Sequence, residues 1–341
     1  MQGPQTAFSE HIDTNINLIR FRYKHASLKL ESMDVGRITR SRLCIMYDDM
    51  LVDHKVLNHL KNQIEELDFG HAKMVLIGEN IIEENLRESL DWFNRRRGIQ
   101  MVAWIAIGKP SAEAVLATQT SQERLPGISL LLSFGKTGVE SGFIVSEYMF
   151  DFFRKQTEWG LDPILPVVEA SGNHYTINTS IVFDKIRARL TLNSDETRLF
   201  NVIKATVNKV EFEAPIDDSK IFISVDSIKS KYRVYTPRGT PPHVDLRINM
   251  SGVIEEAYLK VSSDKLASYQ ESTEKTGRER IKKLLRRLQK ENLDPFGFGL
   301  NYRARHFGNV EEEWKAWQSL YPELDFRVQI HLKLEGTGTI K

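Results

Sequence analysis

The chain has 341 residues, 41% of them apolar and 27% charged, a globular composition with length for two or three packed domains. That excludes a disordered chain, a collagen-like chain and a disulfide-stapled mini-protein. Its 47 Lys and Arg against 46 Asp and Glu leave no net field to hold the whole molecule on nucleic acid or an anionic bilayer, so any charged partner is met locally.

The spacing of Phe8, Ile12, Ile16 and Ile19 predicts a helix over residues 7–22. Residues 43–47, Leu-Cys-Ile-Met-Tyr, read as a short strand buried on both faces. A helix over 53–67 follows, with Val56, Leu57, Leu60, Ile64 and Leu67 on one side and Asp53 as cap. Strand 72–77, helix 83–93, strand 101–107 and a short helix over 110–117 continue a β-α-β-α-β order through residues 42–117, which favours a sheet with crossover helices. The Ser-, Gly- and Thr-rich stretch 118–142 reads as a long loop around one apolar run, followed by a helix over 146–158 and the punctuation of Pro163 and Pro166.

Strands are then expected over 175–183, 186–192, 220–225 and 232–235, with a helix over 195–207. The prolines 237, 241 and 242 form the clearest composition break and are expected to separate two domains. Val244, Leu246, Ile248 and Met250 alternate as a half-buried strand. A long amphipathic helix is expected over 264–291, with Ile281, Leu284, Leu285 and Leu288 on its buried stripe. A helix over 310–320 and a terminal strand over 326–334 close the chain. The expected fold class is therefore α+β, several small sheets packed with helices. The expected division is 1–67, 68–165, 166–240 and 241–341. No internal repeat or low-complexity tract is present.

The chemistry-bearing residues form no catalytic set. Gly135-Lys136-Thr137 has the ending of a phosphate-binding loop, but Leu130 stands where the first glycine belongs, so a polar turn is expected. His54 and His59 project about 140° apart on a helix and lack an HExxH frame. Cys44, the single cysteine, forbids an internal disulfide and any cysteine zinc cage, and among apolar neighbours it reads as inert packing. Asp48-Asp49, Asp217-Asp218 and Glu311-Glu312-Glu313 read as solvated turns and a helix N-terminus. Arg95-Arg96-Arg97 and the face of Arg278, Arg280, Lys282, Lys283, Arg286, Arg287 and Lys290 read as wet helix surface, with lipid phosphate contact as the alternative. Trp314 and Trp317, three apart, read as core anchors. No catalytic, cofactor-binding or metal residue is assigned, and none is assigned to ligand binding.

The longest apolar stretches, 101–107 and 128–132, fall short of the roughly 18 residues of a membrane span. The start, Met1-Gln2-Gly3-Pro4-Gln5, shows no signal-peptide pattern and no nearby lipid-bearing cysteine. A soluble chain without anchor or export signal is the expectation.

Residues 3–67, through GPQTAFSEHIDTNINLIRFRY and LKLESMDVGRITRSRLCIMY, resemble the N-terminal domain of the A-subunit (GerA) family of spore germination nutrient receptors. Residues 68–341 resemble the C-subunit, or Ger(x)C, family of the same receptors. The carrying stretches are FGHAKMVLIGENIIEENLRESLDWFNR, AWIAIGKPSAEAVL, INTSIVFDKIRARLTLNSDETRLF and LQKENLDPFGFGLNYRARHFGNVEEEWKAWQSLYPELDFRVQIHLKLEGTG, with Gly297, Gly299, Trp314, Trp317 and Gly336 in the family's order.

The resemblance implies a non-enzymatic receptor component of the spore inner membrane. Its partners would be the other receptor subunits, which are multi-span membrane proteins. Family C subunits begin with a signal peptide and lipid-bearing cysteine, and A subunits continue into a multi-span region. The chain therefore reads as an in-frame fusion with its changeover between residues 60 and 68. Strand 43–47 and helix 53–67 are expected to replace a strand and helix ahead of strand 72–77. A germinant-binding module and a fusion relic without function are the alternatives, and an enzyme using the Gly135–Thr137 loop is a third.

Overall fold

Alternating and helical apolar spacings resolve into eleven strands and eleven helices among the residues that the computed structural model describes, which are 11–35, 41–65, 72–95, 99–118, 126–135, 141–216, 219–237, 239–257, 262–306 and 308–336. The chain divides into two compact units, Met1–Gly70 and His71–Lys341.

In the first unit α1 (Ile12–Arg22) precedes β1 (Leu28–Val35), β2 (Ser41–Asp48) and α2 (His54–Glu65). β1 and β2 form an antiparallel two-stranded sheet, registered from Leu28 opposite Asp48 to Val35 opposite Ser41. The expected strand 43–47 is therefore the second arm of a hairpin. It is only partly buried, and its partner β1 escaped the periodicity because Lys29, Glu31 and Asp34 dilute its apolar residues. Among the described residues its ladder partner is β1, where the sequence led one to expect a strand set ahead of residue 72. Lys61 of α2 pairs with Glu31 at 2.5 Å, and the Tyr47 hydroxyl donates to Glu31 at 2.6 Å. The lysine holds the Glu31 carboxyl below its ordinary value.

The second unit opens with β3 (Met74–Gly78), α3 (Glu79–Ile82), α4 (Leu86–Arg95), β4 (Trp104–Lys109), α5 (Ala112–Ala117), α6 (Pro126–Phe134), α7 (Met149–Thr157), β5 (Ile164–Ser171), β6 (His174–Phe183) and β7 (Ala188–Leu192). The five strands make one sheet in sequence order. β3, β4 and β5 are parallel, with helical crossovers between them, and β5 to β7 are antiparallel. The apolar run 128–132 lies within α6, with Leu130 and Phe134 buried, and not in a loop.

α8 (Ser194–Lys204) then links the two sheets. Asn193 and Glu196 close a capping box at its start, and Leu199, Phe200, Val202 and Ile203 are buried. Its Ser180–Thr197 hydroxyl contact, 3.0 Å, ties it to β6. β8 (Val210–Ile216), β9 (Ser219–Tyr235), β10 (His243–Ala257), α9 (Leu266–Lys290), α10 (Phe298–Arg303), α11 (Val310–Leu320) and β11 (Asp325–Leu334) complete the chain. The second sheet has the order β11-β10-β9-β8. Only β10 and β11 are parallel, and the helices α9 to α11 make their crossover.

Residues 237–242 are the connection of the β9–β10 hairpin, whose register begins at Tyr235 opposite His243. The prolines bend a turn inside one sheet there, which corrects their reading as a domain boundary. The expected strands 220–225 and 232–235 are one 17-residue strand. α9 lies on this sheet through Ile281, Leu284, Leu285 and Leu288, all 1% exposed or less, each contributing about 2 kcal/mol by burial. Glu274 and Gln270 of α9 accept the Leu332 and Leu334 N–H groups at 2.8 and 3.1 Å, so two donors of edge strand β11 are satisfied. One apolar core runs from Ile164, Val182 and Leu192 of the first sheet, through α8, to Leu246, Ile248 and Leu332 of the second.

In the first unit the Tyr23 hydroxyl donates to Asp48, and this bond, with help from Ser27, holds the Asp48 carboxyl down at about 2. The contact's contribution is full above the ordinary carboxylate value of about 3.9 and is lost as pH falls through about 2. NMR titration is expected to show the depressed value in the parent and a return toward about 3.9 in Tyr23→Phe.

Candidate functional site

The best-built polar constellation lies where the segment after α7 meets the segment after α9. Asp294 sits in Leu293-Asp294-Pro295-Phe296-Gly297, just before α10, and is 4% exposed. Its Oδ1 accepts the N–H groups of Gly297 at 2.9 Å and Phe298 at 3.0 Å, and its Oδ2 accepts that of Gly299 at 2.7 Å. Three donors at a helix start are thereby satisfied by one side chain. Gly297 adopts φ +82°, which turns the chain back toward its own aspartate.

Asp162, 132 residues earlier, makes a reciprocal pair with the same residue. Its N–H donates to the Asp294 carbonyl at 2.9 Å, and its Oδ2 accepts the Asp294 N–H at 2.7 Å. Lys185 donates to Asp162 Oδ1 at 3.1 Å and to the carbonyls of Lys155 and Leu161 at 2.7 and 2.5 Å. Burial pushes the Asp294 carboxyl up to about 7, with the neighbouring Asp162 charge adding to the rise and the three N–H donors pulling it down.

Two glycines let the backbones touch. Gly160 has φ +82° and its carbonyl accepts the Leu300 N–H at 2.9 Å. A Cβ on Gly160 would lie 2.6 Å from the Gly299 carbonyl carbon, and one on Gly299 would lie 2.5 Å from Trp317 Nε1. Around them Trp159 stacks on Trp314 at 6.1 Å. Arg303 donates to Glu158 Oε1 at 2.9 Å and to the Trp159 carbonyl at 2.7 Å. Below, the buried Tyr321 hydroxyl donates to the Leu293 carbonyl at 2.5 Å.

A cleft of about 310 Å³ opens beside this joint, lined by Asp162, Asp184, Lys185, Arg189, Glu291, Asn292, Leu293, Asp294, Trp314, Trp317, Gln318 and Tyr321. Its charges are partnered: Arg189 pairs with Asp184 at 3.0 Å and Glu291 at 4.0 Å. The lining supplies carboxylates, cations and indoles, but no His, Cys, Ser or Thr that would serve as nucleophile. It can hold a shape and meet polar groups. A second buried cluster joins Lys155 to both Glu147 oxygens at 2.7 Å and to Asp151 at 2.9 Å. Burial raises the Glu147 carboxyl to about 7, against the pull of Lys155.

The residues singled out from the sequence are scattered. Cys44 stands in β2, half-buried, 3.6 Å from the Ser32 hydroxyl. His54 is exposed, 3.7 Å from Asp49, and His59 lies in α2. Gly135 follows α6, while Lys136, Thr137, Asp217, Asp218, Arg96 and Arg97 lie outside the described residues, as do residues 1–10 with Phe8. Glu311, Glu312 and Glu313 occupy the first turn of α11, where Asn309 caps two of their N–H groups. On α9, Arg280 and Arg287 reach Asp195 and Glu196 of α8, while Lys283, Arg286 and Lys290 are exposed. Of these residues the joint gathers only Gly297, Gly299, Trp314 and Trp317. Asp162, Lys185, Asp294 and Gly160 were missed. The local signal was Asp294 ahead of two closely spaced glycines, a side chain placed to cap a turn.

These features define an α+β protein whose larger unit holds two sheets and a buried aspartate joint. Residues 178–338 match the family "Spore germination B3/ GerAC like, C-terminal", residues 56–170 match "Spore germination protein N-terminal domain", and residues 1–94 match "Bacillus/Clostridium GerA spore germination protein". Most of the chain thus resembles the C-subunit family of spore germination receptors, and its first part resembles the GerA family. The chain is 23% identical to spore germination protein GerQC of Bacillus cereus, over 80% of this chain and 76% of that protein. It is 36% identical to spore germination protein KA of Bacillus subtilis (strain 168), over 24% of this chain but only 15% of that protein. The crystal structure of the GerBC protein has the same fold, with a TM-score of 0.61 at 14% identity, covering 90% of this chain and 96% of that one.

Replacing Asp294 with Asn keeps the volume but turns an amide toward N–H donors, and is expected to lower stability by about 3 kcal/mol in urea unfolding. Gly160→Ala combines left-handed strain with the backbone clash and is expected to cost about 3 kcal/mol. Gly172→Ala, at φ +58° with open space around it, is expected to cost only about 1 kcal/mol.

Proposed function

We propose that this protein is a component of a spore germination nutrient receptor, held at the spore inner membrane by the other receptor subunits and acting through protein contact and not through catalysis. The observation that carries this reading is the ordered resemblance of residues 56–338 to both parts of the C-subunit family, together with the GerBC fold. The resemblance of residues 1–94 to the GerA family adds a piece of the A subunit to the same chain. The chain is accordingly read as A-like through about residue 67 and C-like from 68 onward, an in-frame join of two subunits that share a receptor.

The joint at Asp162 and Asp294 supports a contact role. It uses its polar groups to fix two segments against each other, and the adjoining cleft has its charges already paired. In this reading the other receptor subunits hold the chain at the membrane; no helix among the described residues is long and apolar enough to cross one.

Tagged chain purified from sporulating cells after membrane flotation is expected to float with multi-span receptor subunits and to lose them in Asp294→Asn. Recovery of the chain free of receptor subunits in both fractions would contradict the reading. Thermal stabilisation by amino acids or sugars, without recovery of subunits, would replace it with germinant binding.

A further inference from the structure

The face of the second sheet turned away from α9 carries a charge arrangement that the fold itself does not use. Odd-numbered residues of β11, of β9 from Ser227 onward and of the first part of β10 are exposed or half-exposed there, and the register places them in rows across three strands. One row is Arg233, Asp245 and Arg327, where the acid stands between two bases. The next is Lys231, Arg247 and Gln329, and the next Lys229, Asn249 and His331. Neither contains an acid.

Arg247 and Lys231 are direct cross-strand partners. Two like charges in that position destabilise an antiparallel pair. Arg247 also has Lys229, Arg233, Arg327 and His331 at its diagonals. Some of these are occupied: Arg327 meets Asp325 at 3.8 Å, His331 meets Glu274 at 3.6 Å, and Arg233 lies over the Tyr235 ring at 5.1 Å. Among the described residues Lys229, Lys231 and Arg247 have neither an ion pair nor a hydrogen-bonded acid.

The shape of the patch narrows its occupant. Its rows are charged and polar side chains, with no apolar residue to anchor a peptide. The one aromatic at its end, Tyr235, already stacks on His243 at 5.1 Å and carries Arg233, so it offers no platform for bases. Long cationic side chains in adjacent rows match an extended array of negative charge. We propose that this face, centred on Arg247 and Lys231, docks on the anionic headgroups of a lipid bilayer. The attraction is electrostatic and weakens with salt. It holds the chain on such a surface at low salt. The proposal stands apart from the receptor reading, since it concerns this chain and lipid only.

The test is co-flotation of the full chain with vesicles of phosphatidylglycerol and phosphatidylcholine in equal parts, at low and at high salt. Binding is expected at low salt, with none to pure phosphatidylcholine. Lys229→Glu with Lys231→Glu sets a carboxylate opposite Arg247, so this variant is expected to melt no earlier than the parent while binding about tenfold less or weaker still. Lys283→Glu with Arg286→Glu, on exposed positions of α9, is expected to bind as the parent does. Equal binding by the sheet variant, loss of binding in the α9 variant alone, or capture by soluble polyglutamate but not by vesicles would each overturn the proposal.

Discussion

One buried carboxylate organises the larger unit of this protein. Asp294 is removed from water and compensated by three N–H groups of its own following turn, so the turn and the side chain hold one another in place. An unpaired charge in that position would be far too costly to keep. The same residue's backbone exchanges two hydrogen bonds with Asp162, which Lys185 in turn ties to the end of α7. A local cap thereby becomes a long-range clamp between segments 132 residues apart.

The clamp explains the surrounding residue choices. Glycines at 160 and 299 allow backbone-to-backbone contact that any side chain would block, and Trp159, Trp314 and Trp317 close over the contact. The apolar core continues from the first sheet through α8 to the second, so polar and apolar restraints act on the same pair of sheets. Polar groups in this region are spent on holding geometry. That is the physical content of the proposed contact role.

Much of this was legible in the sequence where a local period decides structure. The α9 stripe at Ile281, Leu284, Leu285 and Leu288 and the alternation of β11 both read correctly because each element buries one face along its whole length. The α+β class followed from those periods. β5 was hidden because Pro163 and Pro166 looked like punctuation. Pro166 is tolerated because β4 pairs with β5 only from Val167 onward, so the missing N–H faces no ladder on that side. The Pro237–Pro242 turn misled for the opposite reason, since a hairpin connection and a linker share one composition. The joint was legible only by half: the glycines and tryptophans stood out, but the meeting of Asp162 with Asp294 depends on tertiary contact that no local window holds.

The aspartate clamp makes its two segments one cooperative unit. Amide hydrogen exchange followed by mass spectrometry on peptides covering residues 158–164 and 293–301 measures this directly. Both peptides are expected to open with the same free energy as the β10 core, in one event. Opening of either peptide well ahead of β10, or of the two at separate free energies, would contradict it.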